Sequence, residues 1–311
     1  MHAAFSSPAS SSSSSPLAVA APAPFGPRLL GRTGLSVGPL GLGSSYGLPG
    51  PEVERAFERG VRFFLWGSRR RAGFGDGLRA IAKRRREDMV IAIQSYTRMA
   101  SLMPWSVDRA LKALGTDYVD VLGLAWWNGP VPQRIIDAAL RLRDKGKIRH
   151  LMISGHHRPT FDRFIADPAV DLLMLRYNAA HPGAEREIFP RLGAPRQGTI
   201  AFTATRWGTL MDPRYLPAGE PPPRATDCYR FALTNPNVDV CISGAKDAHE
   251  LDAALDAVRE GPMGETELAW MRRVGAAVRA STVKKSQISA LEIIDKLASF
   301  SFCGPKQLTS G

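Results

Sequence analysis

Arginine, tryptophan and hydroxyl side chains follow directly after several short apolar segments of this 311-residue chain. A guanidinium group carries five donors in a fixed fork, which suits bidentate hydrogen bonds to carboxylate or phosphate groups. A Trp face beside it favours a planar or sugar-like ligand through cation–π attraction of about 0.5–2 kcal/mol per well-placed pair. We therefore predict a binding site for an anionic small molecule. Its candidate ligand-binding residues are Trp66, Ser68, Gln94, Trp126, Arg176, Asn178 and Arg206.

The same segment ends contain groups for acid–base catalysis. Tyr96 and His157 are the candidate proton donors, and Arg70 or Arg98 is the candidate partner of a substrate oxyanion. Since successive residues point apart, we expect at most one of His156 and His157 to face the site. Carboxylates are nearly absent from these positions, which disfavours a divalent metal site, and we predict none.

Structural roles compete with each of these functional interpretations. The Trp residues can cap a hydrophobic core, Asn178 can hold a turn, and either histidine can be a satisfied structural side chain. Arg69–Arg71 can be solvated surface as readily as part of a site. For Arg84–Arg86, at a predicted helix end, solvated surface is the better interpretation.

The elements that must position these residues alternate from residue 28 onward between β-like apolar segments and amphipathic helical segments. That alternation indicates repeated βα units and a parallel sheet. Eight units predict an α/β fold, the (β/α)8 barrel, in which functional side chains lie at the carboxyl ends of the strands. The predicted strands are 39–42, 61–65, 89–93, 118–124, 148–154, 172–176, 199–203 and 238–243. The predicted helices are 52–59, 77–84, 106–114, 131–145, 159–165, 183–192, 223–233, 248–258 and a closing helix at 265–279.

The chain divides into three parts on composition. Residues 1–27 are Ser, Ala and Pro almost throughout, which predicts a disordered leader that lacks the pattern of a secretory signal. Residues 28–280 form the predicted barrel. Residues 281–311 have their own apolar pattern and are either a loose tail or an extra helix.

Charge and cysteine content narrow the class of protein. A net charge of +12 favours anionic ligands, but no nucleic-acid-binding signature accompanies it. Three widely spaced cysteines argue against a disulfide framework or a zinc site, and the chain has no apolar run of about 18 residues that would predict a membrane span. We expect a cytoplasmic monomer or homodimer that binds neither membranes nor specific nucleic acids.

Several motifs, taken in order along the chain, resemble the aldo-keto reductases. They include RLLGRTGLSVGPLGLGSSYG at 28–47, LGTDYVDVLGL at 114–124, GKIRHLMIS at 146–154 and NPNVDVCISGAK at 235–246. The resemblance implies a (β/α)8 barrel opened by an N-terminal β-hairpin. It also implies reduction of aldehydes or ketones by NADPH, with a Tyr as proton donor assisted by a Lys, an Asp and a His.

This chain departs from the family pattern at all four catalytic positions. The Asp position is Leu65, the Tyr position is Arg70, the Lys position is Gln94 and the His position is Ala125. The phenol of an unassisted Tyr has a pKa of about 10, so it donates a proton poorly at neutral pH. The resemblance therefore predicts a divergent member, and a pseudoenzyme candidate, in which the inherited reduction is altered or lost.

The implied NADPH contacts are only partly retained. Ser154, Phe202 and Lys246 match family positions that meet the nicotinamide carboxamide, the nicotinamide ring and a phosphate. Family side chains are replaced by Gly155 and Met174, which leaves NADPH a weakly supported cofactor.

Two functional hypotheses remain from the sequence. One is an oxidoreductase with a rebuilt site, using the proton donors named above. The other is a non-redox barrel that binds or senses an anionic metabolite, since fold alone does not determine function.

Overall fold

Eight parallel strands close into a barrel in the computed structural model, which describes residues 24–67 and 72–281. Each barrel strand pairs with its neighbours in sequence, and the last strand pairs with the first. The strands are β3 (Leu40–Gly43), β4 (Phe63–Trp66), β5 (Val90–Ser95), β6 (Val119–Leu124), β7 (Ile148–Gly155), β8 (Leu172–Arg176), β9 (Gly198–Phe202) and β10 (Val240–Ser243). The predicted (β/α)8 barrel is confirmed.

An antiparallel hairpin precedes the barrel, as predicted. It pairs β1 (Arg28–Leu29) with β2 (Ser36–Val37). Leu30 and Val37 belong to the apolar cluster inside the barrel, so the hairpin covers the barrel at the amino ends of the strands. Gly31, in the loop between them, has φ +52°, and a Cβ there would lie 2.1 Å from the backbone nitrogen of Gly198.

Helices follow the strands on the outside of the barrel. They are α1 (Gly50–Glu58), α2 (Ala72–Arg85), α3 (Met103–Leu114), α4 (Gln133–Asp144), α5 (Phe161–Ala166), α6 (Ala184–Glu187), α7 (Ala225–Thr234), α8 (Ala248–Glu260) and α9 (265–281). The segment 183–192, predicted as one helix, is instead the single turn α6 followed by a 3-10 turn at Phe189–Arg191. Pro190 accounts for the break, because it lacks the N–H that a continuing helix needs.

Strand side chains alternate between the barrel interior and the helix layer. Phe63, Leu65, Val90 and Ala92 are among the residues of the interior cluster, and their neighbours along the strands pack against the helices. This alternation fixes which side chains can reach the mouth of the barrel.

Most of the predicted leader (1–23) and of the predicted tail (282–311) lies outside the described residues. Within 24–27, the backbone N–H of Phe25 donates to the carbonyl of Val258 at 3.0 Å, so the chain already contacts the barrel before residue 28. In the described parts of the chain, no helix is long and apolar enough to cross a membrane.

The prediction that Arg84–Arg86 is solvated surface is wrong for its last residue. Arg84 is exposed and pairs with Glu54 at 2.8 Å. Arg86 instead points inward and donates to the carboxylate of Asp120, which is 1% exposed, at 2.9 Å. The Asp120 carboxylate, near the start of β6, binds the Arg86 guanidinium after the end of α2. The pattern of charges along one segment does not predict this contact, because the two residues are distant in sequence.

Candidate functional site

Arg176 is the last residue of β8 and lies at the mouth of the barrel. Leu172 and Met174, two and four residues before it, belong to the interior cluster, so the alternation directs Arg176 to the same interior side. Its partner in register on β9 is Phe202, which packs against the interior cluster. A cation and an aromatic ring therefore stand side by side at the entrance.

Three more arginines act on Arg176 electrostatically. Burial lowers the pKa of Arg176, and the positive charges of Arg158, Arg206 and Arg279 lower it further. Within residues 24–67 and 72–281, Arg176 has neither a carboxylate partner nor a hydrogen bond. We call Arg158, Arg176, Arg206 and Arg279 the arginine cluster.

Two other members of the arginine cluster, Arg158 and Arg206, contact a carboxylate and a backbone carbonyl, respectively. Arg158, after β7, lies 2.9 Å from Glu187, although its Nε–H is not directed at that oxygen in hydrogen-bond geometry. Its guanidinium covers Gly183 so closely that a Cβ there would lie 2.6 Å from it. Arg206 reaches the carbonyl of Val278 at 3.5 Å, which brings α9 to the mouth.

Two histidines beside the cluster are neutral at physiological pH. Burial and the four arginines lower the pKa of His181 to about 4. Burial, followed by the charge of Arg176, lowers the pKa of His156. The ring of His156 packs edge-on against Phe202 at 5.4 Å, and its buried Nδ1 has no hydrogen-bond partner in the described chain.

Tyr96 and Gln94 form a hydrogen-bonded pair on the other side of the mouth. The Tyr96 hydroxyl donates to the side-chain oxygen of Gln94 at 2.8 Å. Burial raises the pKa of Tyr96, which makes its hydroxyl a weaker acid than a free phenol. The Tyr96 ring also contacts Trp126 edge-on at 5.3 Å.

Arg98 serves as a support for the loop after β6. Its guanidinium donates to the carbonyls of Ala125 at 3.1 Å and Trp126 at 3.0 Å. It also lies over the ring of Trp127, 4.0 Å from the centroid. These contacts use several of its donors on the protein itself.

The other predicted residues are also tied to the protein. The Nδ1 of His157 lies 2.8 Å from the hydroxyl of Thr160, and the Lys246 ammonium lies 2.7 Å from Glu250. Asn178 is fully buried and donates to the carbonyl of Thr203 at 2.7 Å. The hydroxyl of Ser154 accepts the backbone N–H of Trp126 at 3.2 Å.

The positions that correspond to the implied catalytic residues differ in where they lie. Leu65 belongs to the apolar interior cluster, Gln94 follows Ala92 at interior spacing, and Ala125 is buried at the end of β6. Trp66, by contrast, packs on the helix side of β4. Arg70 and Ser68 lie outside the described residues.

In the part of the chain that the structure describes, no group of three His, Cys, Asp or Glu side chains could hold a metal ion.

Backbone strain is concentrated at the same end of the barrel. Among the residues that the structure describes, four other than glycine have positive φ: Trp126 (57°), Thr203 (60°), Arg206 (51°) and Trp207 (54°). All four lie in the loops after β6 and β9. Such conformations cost about 1–3 kcal/mol each and cluster at sites that bind ligands.

The sequence predicted Arg176 and Arg206 as site residues but missed two members of the arginine cluster, Arg158 and Arg279. Arg279 stands near the end of α9, far along the chain from the strand ends that were searched. Arg158 and His181 followed predicted strands and could have been chosen by that position. No local signal distinguishes Arg279 from the other basic residues of its helix.

Known proteins are similar to this chain in sequence and in fold. Residues 53–226 match the model of the aldo/keto reductase family. The holo form of aldo-keto reductase AKR11C1 from Bacillus halodurans superposes with a TM-score of 0.68 at 20% identity, over 80% of this chain and 96% of that one. A putative 2,5-diketo-D-gluconic acid reductase B superposes with a TM-score of 0.63 at 21% identity, over 79% of this chain and 89% of that one.

Proposed function

This chain belongs to the aldo/keto reductase family, and from the charge at its barrel mouth we propose that it binds an anionic small molecule there, with the family's carbonyl reduction altered or lost. The binding role is supported by the arginine cluster. The altered chemistry is supported by the side chains at positions 65, 94 and 125, none of which can ionise.

The observation that carries the proposal is the uncompensated charge of Arg176. Partial burial of a cation without a partner costs free energy, and adding like charges nearby increases that cost. A protein retains such an arrangement most readily where a ligand supplies the missing negative charge. Arg176 faces the barrel mouth with no carboxylate beside it in the described chain, so the mouth is the place for that ligand.

The neighbours of Arg176 narrow the ligand class. Phe202 offers a ring edge or face, and the neutral imidazoles of His156 and His181 can donate or accept one hydrogen bond without adding charge. A phosphate or carboxylate attached to a planar or sugar-like group matches this combination. Carboxylic acids and sugar phosphates are therefore the first ligands to test.

NADPH fits this mouth in part. Its phosphates would meet the arginine cluster, and Phe202 stands where a nicotinamide ring could stack. Lys246, the predicted phosphate contact, is already paired with Glu250. Bound NADPH would supply a hydride, and the chain's own residues would have to bind it, exclude water and deliver a proton.

A rebuilt reductase is the second candidate, and the proton donors offer it little support. Burial raises the pKa of Tyr96, whereas proton donation at neutral pH requires a lower one. His157 is exposed and contacts Thr160, and Arg98 is engaged by two backbone carbonyls. The geometry favours anion binding over this alternative.

Thermal unfolding with and without candidate ligands tests the proposal. Ribose 5-phosphate, inorganic phosphate, citrate and NADPH should be compared, since a ligand at about 100 times its Kd adds about 2.7 kcal/mol to the free energy of unfolding. We expect at least one anion to raise the Tm of the native chain and not that of Arg176→Gln. The matched control is Arg141→Gln, which removes an exposed charge from α4.

Two further results separate the candidates. If NADPH quenches the Trp fluorescence and the protein then turns over a carbonyl substrate, the reductase hypothesis is favoured over a binding role alone. Indifference to every anion, or equal stabilisation of Arg176→Gln, would refute the mouth as an anion site.

A further inference from the structure

An exposed apolar surface lies beside the barrel mouth, on the side formed by the loops after β5 and β6. Among the described residues eight large apolar side chains are exposed, and five of them stand in these two loops and the first turn of α3. They are Tyr96 (49% exposed), Met99 (57%), Leu102 (46%), Trp105 (60%) and Trp126 (59%). We call these five residues the apolar edge.

Local backbone structure brings the members of the apolar edge together. The backbone N–H of Leu102 donates to the carbonyl of Met99 at 3.2 Å and closes a 3-10 turn. Residues three apart on such a turn stand one above the other, and Trp105 follows Leu102 by the same interval. Tyr96, three residues before Met99, contacts the ring of Trp126 at 5.3 Å. The five side chains therefore form one surface.

Positive charge borders the apolar edge. Arg109 lies over the ring of Trp105, 5.2 Å from the centroid. Arg134 is exposed in the first turn of α4, which packs against the same 3-10 turn. The segments 96–105 and 125–132, which carry the edge, contain no Asp or Glu.

The first carboxylates after these segments are engaged elsewhere. Asp108 forms an ion pair with Lys147, and Asp137 accepts a hydrogen bond from Gln133 at 2.9 Å. The apolar edge thus combines apolar side chains and positive charge without a carboxylate of its own. This combination is complementary to a surface that is both apolar and negatively charged.

We propose that the apolar edge attaches this protein to the surface of an anionic lipid bilayer. Met99, Leu102 and Trp105 would enter the region of the lipid headgroups, while Arg109 and Arg134 would contact lipid phosphates or carboxylates. Trp and Tyr rings suit this depth, because they have an apolar body and a polar tip. The proposal replaces the expectation from sequence that the chain avoids membranes. That expectation rested on the lack of a spanning segment, whereas this surface forms only when the chain folds.

A bilayer fits this surface better than a folded protein partner does. Each side chain of the edge projects with about half or more of its area exposed, and a bilayer receives projecting side chains in any arrangement. A protein partner would need a surface of matching shape, packed as densely as a protein interior. The net charge of +12 adds long-range attraction to an anionic membrane. The proposal is independent of the site at Arg176, because the apolar edge follows β5 and β6 and Arg176 ends β8.

Sedimentation of the full chain with lipid vesicles tests the proposal. One set of vesicles is phosphatidylcholine alone, and the other contains about one third phosphatidylserine. We expect the chain to sediment with the second set and not with the first. Raising the salt concentration from about 0.1 M to about 0.5 M should weaken binding, because it screens the lipid charge.

Variants of exposed residues locate the contact. Met99→Ser, Leu102→Ser and Trp105→Ser should each weaken vesicle binding by about three- to tenfold, since each loses an apolar side chain that the bilayer covers. Arg109→Gln should weaken it by about fivefold. The matched control is Leu29→Ser. Leu29 is 62% exposed but lies in the hairpin at the other end of the barrel, so its replacement should leave binding unchanged.

Several outcomes would overturn the proposal. They are equal binding to both sets of vesicles or to neither, full binding by all three apolar-edge variants, and an equal loss of binding in Leu29→Ser. Loss of binding in Arg176→Gln, with the apolar-edge variants still bound, would place a lipid headgroup in the mouth instead.

Other occupants of the apolar edge are distinguished without vesicles. Self-association of the chain that Leu102→Ser abolishes would assign the edge to a second copy. Binding of polyglutamate that Leu102→Ser abolishes would assign it to an acidic protein. Far-ultraviolet circular dichroism checks that each variant is folded, which we expect because the replaced side chains are exposed.

Discussion

Arg176 and Phe202 are register partners on neighbouring strands, so a guanidinium without a carboxylate partner in the described chain stands beside an aromatic ring at the mouth of the barrel. Parallel pairing at the carboxyl ends of β8 and β9 creates this relationship. Arg158, Arg206 and Arg279 then surround Arg176 with like charge. This concentration of charge at one end of the barrel should affect both the stability of the protein and its dependence on pH.

Removing the charge of Arg176 should stabilise the protein when no anion is bound. In a zwitterionic buffer of low ionic strength, Arg176→Gln should raise the free energy of unfolding by about 1 kcal/mol, because it relieves repulsion in a partly buried cluster. Urea unfolding measures the difference. Arg141→Gln, on the exposed face of α4, should change stability by less than about 0.5 kcal/mol. A destabilised Arg176→Gln would show that an unseen partner compensates the charge.

Stability should fall in mildly acidic solution because of His181. Its pKa is lowered to about 4 in the folded protein, against about 6.5 in the unfolded chain. The unfolded chain therefore binds the proton first, so the stabilisation is complete above about pH 6.5 and is lost as the pH falls towards about 4. Because His181 is only about half buried, solvent screens part of this effect, and the loss should amount to about 1–2 kcal/mol, with His156 adding to it in the same direction.

Urea unfolding at several pH values between about 4.5 and 7 measures this dependence. His181→Gln should flatten the curve, whereas His249→Gln, an exposed imidazole on α8, should leave its slope intact. An unchanged slope in His181→Gln would mean that His181 is protonated as easily folded as unfolded.

Gly31 should be essential for closing the barrel floor. Gly31→Ala would place a Cβ 2.1 Å from the nitrogen of Gly198 and must also adopt φ +52°, so we expect a loss of about 3 kcal/mol or more. Gly34, in the same hairpin, has φ +74° but nothing within 4 Å of its Cβ position. Gly34→Ala should therefore cost only about 1–2 kcal/mol, the strain alone. Thermal unfolding of the two variants should separate close packing from backbone strain, and equal losses would argue against the close approach.

Neutralising the buried carboxylate of Asp120 should be costly. It accepts from Arg86 at 2.9 Å, from the backbone of Ile91 at 2.8 Å and from Arg149 at 3.3 Å. Asp120→Asn leaves Arg86 without its charge partner, whereas Arg149 keeps Glu87 at 3.5 Å, and we expect a loss of about 3 kcal/mol or more. Asp88→Asn breaks an exposed pair with Arg85 and should cost less than about 1 kcal/mol in urea unfolding. A small effect of Asp120→Asn would show that the buried pair contributes little net stability.

Much of the architecture was already determined by the order of residues along the chain. Short apolar segments with helical segments between them can form only a few arrangements, and eight repeats close a barrel whose strands lie within a few residues of the predicted bounds. The same alternation placed Arg176 and Gln94 towards the mouth, because each continues an interior series of its own strand.

Tertiary structure decided which of these side chains are available to a ligand. Arg98 and Lys246 are basic residues near the rim, yet Arg98 holds two carbonyls and Lys246 pairs with a carboxylate on α8. Arg279 joins the cluster only because α9 returns to the mouth. Trp66 turned out to line a cavity behind the strand. Local sequence specifies periodicity and charge, but the free energy of a charged group depends on which distant partners and how much solvent surround it, and those are set only when the chain has closed on itself.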